Sequence, residues 1–291
     1  MVVVTYNRKD LLRAALASAT TQHGAPEVIV MDDGSLDGSP EMVQTAFPGV
    51  RLVRSQRSGY IALRNKAAEL ARTNIIISLD DDARFSSTDA VATTVAEFSD
   101  SRIGAVAMPL IHTARGPEVL QRPPSENGVW ITNAYIGTAH AVRRDVFLAL
   151  GGYREELEHF FEEPDFCIRL MRAGYVVRLG RAAPMLHEES LNRNVARGVR
   201  YFCRNHMLFT WLYVPFPQCV SRSLAVAAHS LWFGIRLREP AAGVRGLLAA
   251  LRYIAAHRCE RGPVSAADYR RWRSLRRRPA RLEPTASTSS P

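Results

Sequence analysis

Asn74-Ile75-Ile76-Ile77-Ser78-Leu79-Asp80-Asp81-Asp82 decides how this chain is read, because an apolar, β-branched run stops abruptly in three carboxylates. A short apolar run bounded by breakers is a strand buried on both faces, as in a parallel sheet, so the acids emerge at its carboxyl end. Open α/β sheets bind their ligands at that end. Three adjacent carboxylates repel one another and raise each other's pKa values unless a cation or hydrogen-bond donors absorb the charge. Oxygen ligands with room for water suit Mg²⁺ or Mn²⁺. The competing reading is a solvated loop in which one aspartate caps the next helix, and the neighbouring segments must decide.

Working back from the triplet, the same pattern recurs. Met1-Val2-Val3-Val4-Thr5-Tyr6 predicts a strand, and after Asn7-Arg8-Lys9-Asp10 a helix presents Leu11, Leu12, Ala15 and Leu16. Glu27-Val28-Ile29-Val30-Met31 predicts a second strand, closed by Asp32-Asp33-Gly34-Ser35 before a helix that begins near Asp37. Val50 to Arg54 makes a third, leading through Arg57-Ser58-Gly59 into a helix with Leu63, Ala67 and Leu70 on its inner face. Strands alternating with helices at this spacing imply right-handed crossovers and a parallel sheet. Thr5, Tyr6, Asp33, Arg64 and the triplet then converge on one crevice. No GxGxxG follows the first strand and GxxxxGK[ST] is absent, which removes the main sequence support for dinucleotide-dependent redox chemistry and P-loop phosphoryl transfer. Asp33 can bind a base or ribose, or it can serve the Asp-Gly turn.

Val2-Val3-Val4-Thr5-Tyr6-Asn7-Arg8, Asp32-Asp33-Gly34-Ser35, Arg64-Asn65 and Ser78-Leu79-Asp80-Asp81-Asp82 together resemble the family 2 inverting glycosyltransferases of GT-A fold, in particular the rhamnosyl- and galactofuranosyl-type members. The resemblance covers about residues 1 to 215, with four motifs in order, each at its expected strand end. It implies an α/β, Rossmann-like, mostly parallel sheet flanked by helices, carrying a nucleotide-sugar site. Thr5, Tyr6 and Asp33 match positions that hold the base, Asp81 the ribose, and Asp82 the metal that bridges the diphosphate. Val4, Arg8, Arg64 and Asp80 line the same site.

Downstream, residues 88 to 98 predict a helix and Ile103 to Met108 a strand. The Pro-, Gly- and Arg-rich stretch from Pro109 to Gly128 predicts a long mobile connection, and loops of this length are often substrate lids. Val129 to Ile136 predicts a strand, Gly137-Thr138-Ala139 a small-residue turn that permits close backbone approach, and Arg143 to Leu150 a helix. The resemblance makes Gly137 and Thr138 part of the acceptor side. In Phe160-Phe161-Glu162-Glu163-Pro164-Asp165-Phe166, three acids crowd a first helical turn, where the helix dipole alone would favour them. By resemblance this is the family's acid-acid-x-Asp motif, which makes Glu163 the general base and Glu162 and Asp165 supporting or acceptor-binding groups. The family more often has aspartate at the Glu163 position, so Asp165 stays open as the base. His187, after a strand at Tyr175 to Leu179, falls where family members place a histidine that completes the metal or diphosphate shell.

The carboxyl-terminal third predicts an arginine-bearing helix through Arg197, Arg200 and Arg204, apolar segments at 207 to 216 and 224 to 235 broken by prolines, Arg222 and His229, and an amphipathic helix at 243 to 257. A last helix, Ala266 to Arg278, sets Tyr269, Trp272 and Leu275 on one face among dense arginines. Such a helix reads as a membrane-surface anchor or as an ordinary exposed helix or oligomer contact. The net charge is +10, but residues 258 to 281 carry nine arginines against Glu260 and Asp268, so the rest is nearly balanced and a nucleic-acid-binding surface is not expected. Four scattered cysteines, no charged leader and no clean run of about 18 apolar residues predict a cytoplasmic protein, peripheral at most on the inner face of the membrane. The expected organisation is a catalytic domain at 1–215, a helical region at 216–278 and a disordered tail at 279–291. The expected reaction is inverting, Mn²⁺- or Mg²⁺-assisted transfer from a UDP-, dTDP- or GDP-sugar to a glycan, lipid-linked or small-molecule acceptor. A sugar nucleotidyltransferase and a catalytically inactive nucleotide-sugar sensor or membrane-attached scaffold are the alternatives.

Overall fold

In the computed structural model, residues 1–188 and 194–283 are described. Glu189 and Ser190, and the tail from residue 284 onward, lie outside them. The amino-terminal half alternates β1 (Val2–Thr5), α1 (Lys9–Thr20), β2 (Ile29–Asp32), α2 (Ser39–Ala46), β3 (Arg51–Arg54), α3 (Tyr60–Leu70) and β4 (Ile75–Asp80). It continues through β5 (Ala83–Phe85), α4 (Ala90–Ala96), β6 (Ile103–Ala107), β7 (Leu110–His112), β8 (Val119–Leu120), β9 (Trp130–Thr132), β10 (Ala139–Arg143) and α5 (Arg144–Ala149). The remainder is α6 (Glu162–Arg172), β11 (Val176–Leu179), β12 (Met185–His187), α7 (Val195–Tyr213), α8 (Gln218–Arg236), α9 (Pro240–Ala256), α10 (Ala266–Arg277) and β13 (Ala280–Arg281).

The main sheet runs β13-β9-β11-β6-β10-β4-β1-β2-β3. Strands β3, β2, β1 and β4 are parallel; β10 enters antiparallel between β4 and β6. The apolar residues that suggested strands are the ones buried: Val3, Val30, Ile77 and Leu79 pack on one face with Leu12 and Leu16 of α1. Val2, Ile29 and Ile76 pack on the other with Ile61, Leu63 and Ala67 of α3. The chain moves outward from β1 to β3 and then returns to place β4 on the far side of β1. That reversal opens a crevice at the carboxyl ends of β1 and β4, where Thr5 and the aspartates stand.

Several expectations are corrected. The connection after Pro109 is built rather than loose: fully buried Leu110 and half-buried Ile111 alternate in β7, which pairs with β12 and β8 in a second sheet of order β5-β12-β7-β8. The strand expected at 129 to 136 stops at Thr132, because the chain bends so that Ile136 bridges back to Ala139 around Gly137. Ala139–Arg143, lying between the turn expected at 137–139 and the helix expected from Arg143, forms a central strand hydrogen-bonded to β4 on one side and β6 on the other. In α10 the aromatic face is spent internally: Tyr269, Trp272 and Leu275 are buried, and Trp272 meets Phe209 at 5.9 Å between ring centroids. Burying one such side chain is worth about 2–3 kcal/mol, so α10 has arginines but no apolar wedge to offer a membrane. Ala280–Arg281, placed by sequence in the tail, pairs with Ile131 and Trp130 at the sheet edge.

Candidate active site

The crevice at the β1/β4 reversal holds three acids in three environments. Asp81 is buried, accepting from Thr5 Oγ1 at 2.9 Å and from Arg8 Nη1 at 2.8 Å. Burial pushes its carboxyl up to about 6, Arg8 and Thr5 oppose the rise, and neighbouring Asp82 adds to it. Asp82 takes a second contact from Arg8 Nη1 at 2.8 Å and one from His187 Nε2 at 3.1 Å. Burial would raise its pKa, but His187 and Arg8 together hold it below the ordinary carboxylate value. Asp80 points the other way, accepting from Arg64 Nη2 at 2.6 Å and Thr138 Oγ1 at 2.7 Å.

The second sheet explains how a histidine more than a hundred residues downstream reaches the triplet. Strand β12 pairs with β5, setting His187 opposite Ala83, the residue after Asp82, and pairs with β7, setting it opposite His112. His112 Nδ1 lies 2.9 Å from His187 Nδ1, which leaves Nε2 facing Asp82. One ligand atom each from Asp80, Asp82 and His187 lies within 4.8 Å of the others. Two carboxylates and an imidazole form a donor set suited to a divalent cation.

Glu163 stands against the Gly137 turn. A Cβ added to Gly137 would lie 2.1 Å from Glu163 Oε1 and 3.2 Å from Arg64 Nη1. The absence of a side chain at Gly137 is therefore what lets the carboxylate lie against the turn. Burial and the charge of Glu162 push Glu163 up to about 8. Glu162 is buried with Oε1 3.6 Å from Arg64 Nη1; burial raises it, and Arg64 and the Tyr60 hydroxyl oppose the rise. Arg64 thus touches Asp80, the Gly137 carbonyl oxygen and Glu162 together, joining the cation cluster to the acids of α6.

Asp165 is placed elsewhere. It is 2% exposed. One oxygen accepts from Arg169 Nη2 at 2.7 Å, and the other accepts from Tyr213 at 2.5 Å and lies 3.3 Å from Arg154 Nε. Asp33 likewise faces backbone, accepting from Ser58 N at 2.6 Å and Gly59 N at 3.2 Å, and so it fixes the turn that launches α3. Val4 lies in β1 opposite Met31 and Asp80. Tyr6 is exposed at the crevice mouth with the Arg57 guanidinium 3.7 Å from its ring centroid.

The segment that delivers Glu163 is strained. Glu158, Phe160 and Phe161 adopt φ of 58°, 66° and 72°, each costing on the order of 1 kcal/mol for a non-glycine residue. Fully buried Asn205 of α7 pins it by donating from Nδ2 to the carbonyls of Leu157, His159 and Phe160. The Tyr60 hydroxyl accepts from Phe160 N at 3.0 Å. Sequence reasoning missed His112, Tyr60 and Asn205. His112 alone left a local trace, as the polar end of the Leu110-Ile111-His112 run.

The sequence model described as Glycosyl transferase family 2 matches residues 1–151. The chain belongs to glycosyltransferase family 2. Among relatives of this family 2 enzyme, the N-acetylglucosaminyl-diphospho-decaprenol L-rhamnosyltransferase of Mycobacterium tuberculosis is 25% identical over 286 residues, covering 79% of this chain and 91% of its own. The O-antigen chain rhamnosyltransferase WbaN of Salmonella anatum is 25% identical over 210 residues, 65% of this chain and 66% of its own. An uncharacterized Sinorhizobium fredii protein, y4gI, is 25% identical over 66% of this chain, which spans only 24% of its length. In fold, the chain is similar to the mannosyltransferase PcManGT of Pyrobaculum calidifontis, solved with GDP-Man and Mn²⁺, at a TM-score of 0.60 and 20% identity over 94% of this chain and 77% of that one. It is also similar to GalNAc-T7, solved with UDP, GalNAc and Mn²⁺, at a TM-score of 0.62 and 15% identity over 88% and 57%.

Proposed function

We propose that this family 2 enzyme transfers a rhamnosyl-type sugar from a nucleoside diphosphate to an acceptor hydroxyl, with inversion and in a single displacement. The observation that carries this reading is the convergence of two unlike sites on Arg64 and Gly137: a cluster fit for a cation on one side and an acid with a raised pKa on the other. Asp82 and His187, with Asp80 beside them, would hold Mn²⁺ or Mg²⁺, which supplies positive charge for the leaving diphosphate. Thr5, Arg8 and Asp81 form a hydrogen-bonded set at the β1 end and bind the nucleoside, with Tyr6 at the mouth to stack on the base.

Glu163 takes the acceptor proton as the oxygen attacks the anomeric carbon from the face opposite the diphosphate. A base of this kind contributes roughly 10²–10⁴ in rate. Its raised pKa keeps it basic enough to receive the proton, while Arg64 steadies the ionised form. Asp165 is not the base in this reading, because Arg154, Arg169 and Tyr213 occupy both of its oxygens. The sugar class follows the two named rhamnosyltransferases, one of which acts, by its name, on a lipid-linked acceptor.

The test is a panel of UDP-, GDP- and dTDP-sugars with Mn²⁺ or Mg²⁺, read by nucleoside diphosphate release. Cation-dependent release that Asp82→Ala removes supports the proposal. Silence with every donor and cation favours a nucleotide-sugar sensor instead.

A further inference from the structure

Helices α8 and α9 leave apolar rows facing away from the protein. On α8, Val220, Leu224, Leu231 and Ile235 recur at helical spacing along one side and are 52, 69, 44 and 66% exposed. An adjoining side of α8, with Val226, Ser230 and Gly234, is the buried one. On α9 the exposed row is Val244, Leu248 and Leu251, while Ala242, Gly243, Gly246 and Ala250 are buried. The buried faces are closely fitted: a Cβ on Gly246 would lie 2.3 Å from the Arg200 carbonyl oxygen, and one on Gly243 3.1 Å from that of Ser230. The two helices are therefore locked onto the protein by small residues, with their larger aliphatic side chains turned outward. Among the described residues no helix is long and apolar enough to cross a membrane.

Charge decides what covers these rows. Residues 218 to 258 contain six arginines and a single acid, Glu239. Arg245 and Arg252 stand beside the α9 row, and Arg236 lies over half-exposed Trp232 at 5.3 Å. A second copy of this chain laid on the same face would bring two arginine-rich surfaces together. An anionic bilayer would accept the aliphatic rows, the tryptophan and the arginines together.

We propose that α8 and α9 seat the protein on an anionic lipid surface, one of the roles that the sequence left open for α10. An unbroken series of aromatic contacts runs from this face toward the acids of α6. Trp232 lies 5.7 Å from His229, His229 6.2 Å from Phe202, and Phe202 5.5 Å from Phe161, the residue before Glu162. If Glu163 is the base, the seat brings it to an acceptor anchored in the bilayer. The lipid contact itself does not depend on that reading.

The experiment is co-sedimentation of the full chain with phosphatidylcholine vesicles, with and without phosphatidylglycerol, in the absence of donor and acceptor. We expect sedimentation with the anionic vesicles only, reversed by about 1 M salt, where the screening length falls to about 3 Å. Leu224→Glu with Ile235→Glu, or Leu248→Glu with Leu251→Glu, should leave thermal unfolding unchanged and abolish sedimentation. Arg236→Ser with Arg245→Ser and Arg252→Ser should weaken it by roughly ten-fold or more. The proposal is overturned if the chain stays in the supernatant with both vesicles or if the glutamate pairs sediment like the parent. It is equally overturned if light scattering finds a dimer that those pairs dissolve, because a second copy would then cover the face.

Discussion

Replacing Glu163 by glutamine should make the protein more stable as it makes the enzyme inactive. An ordinary glutamate titrates near 4.5, and burial beside Glu162 pushes Glu163 up to about 8. The folded state therefore holds this proton more tightly than the unfolded chain does, so wild-type stability falls as pH rises from about 4.5 toward about 8 and levels off above. Full linkage between those limits at neutral pH would be about 3–4 kcal/mol. Because the carboxyl is partly solvated and shares its charge with Glu162, about 2 kcal/mol is the expected yield. Glutamine keeps the shape beside Gly137 and removes this loss. For a chain of this size the gain corresponds to a rise of about 4 °C in Tm at pH 8, shrinking toward zero near pH 4.5. Thermal unfolding of both proteins from pH 5 to 8.5, with kcat and donor affinity at pH 7.5, is the assay. Activity should fall by roughly 10²–10⁴ with donor binding retained. A Tm difference that does not grow with pH, or a Glu163→Gln variant that turns over normally, would refute the reasoning.

Other substitutions separate the parts of the site. Asp82→Ala should abolish Mn²⁺-dependent donor binding, measured by calorimetry, while Asp165→Asn should lower Tm more than it lowers catalysis at temperatures where it stays folded. Gly137→Ala forces a methyl into the space of Glu163 Oε1 and should reduce kcat by at least roughly ten-fold without weakening donor binding, since misplacement of about 1 Å in a catalytic group can cost on the order of 10². His112→Ala should leave the fold intact and weaken cation affinity by roughly 10–100-fold, as removal of a histidine ligand's outer partner does; an unchanged Mn²⁺ titration would show that His187 orients itself. Trp272→Ala should cost about 3–5 kcal/mol in chemical denaturation, because α10 is part of the core; a surface anchor would tolerate it.

The first half of the fold was legible because each strand is short, apolar and followed at once by polar chemistry. The run from Ile75 to Leu79 could be placed in a buried strand that ends at the acids without any tertiary information. Where the reading went astray, the pattern was made by contacts rather than by local sequence. Nothing in Ala139-His140-Ala141-Val142-Arg143 announces a central antiparallel strand, because alanine favours helix and only hydrogen bonding to β4 and β6 selects the strand. The polar stretch after Pro109 resembles a loop by composition, yet burial of Leu110 and pairing with β12 order part of it. In α10 the aromatic periodicity is plain in the sequence and its face is buried, but periodicity does not say whether an apolar face meets lipid or protein.

The acids of α6 show most clearly how geometry separates side chains that sequence leaves equivalent. All three stabilise a helix start, and spacing gives no reason to prefer one as the base. Their directions around the helix differ, however, and so do their partners. Asp165 meets Arg169 one turn along and Arg154 across the gap, so its charge is matched within the protein; Glu162 faces Arg64 at 3.6 Å with one oxygen and leaves the other buried without a partner. Glu163 instead lies against a glycine, with no ion-pairing arginine within 4.0 Å of its carboxylate among the described contacts. A carboxylate without a close ion-pair partner, where backbone has been cleared beside it, is poorly placed for stability and suited to accept a proton. The positive φ angles at Phe160 and Phe161 carry the same implication, since an unstrained helix start would present different faces to Arg64 and Gly137. Asn205 holds that conformation from α7, so the carboxyl-terminal helices help set the geometry of a site whose motifs all precede them.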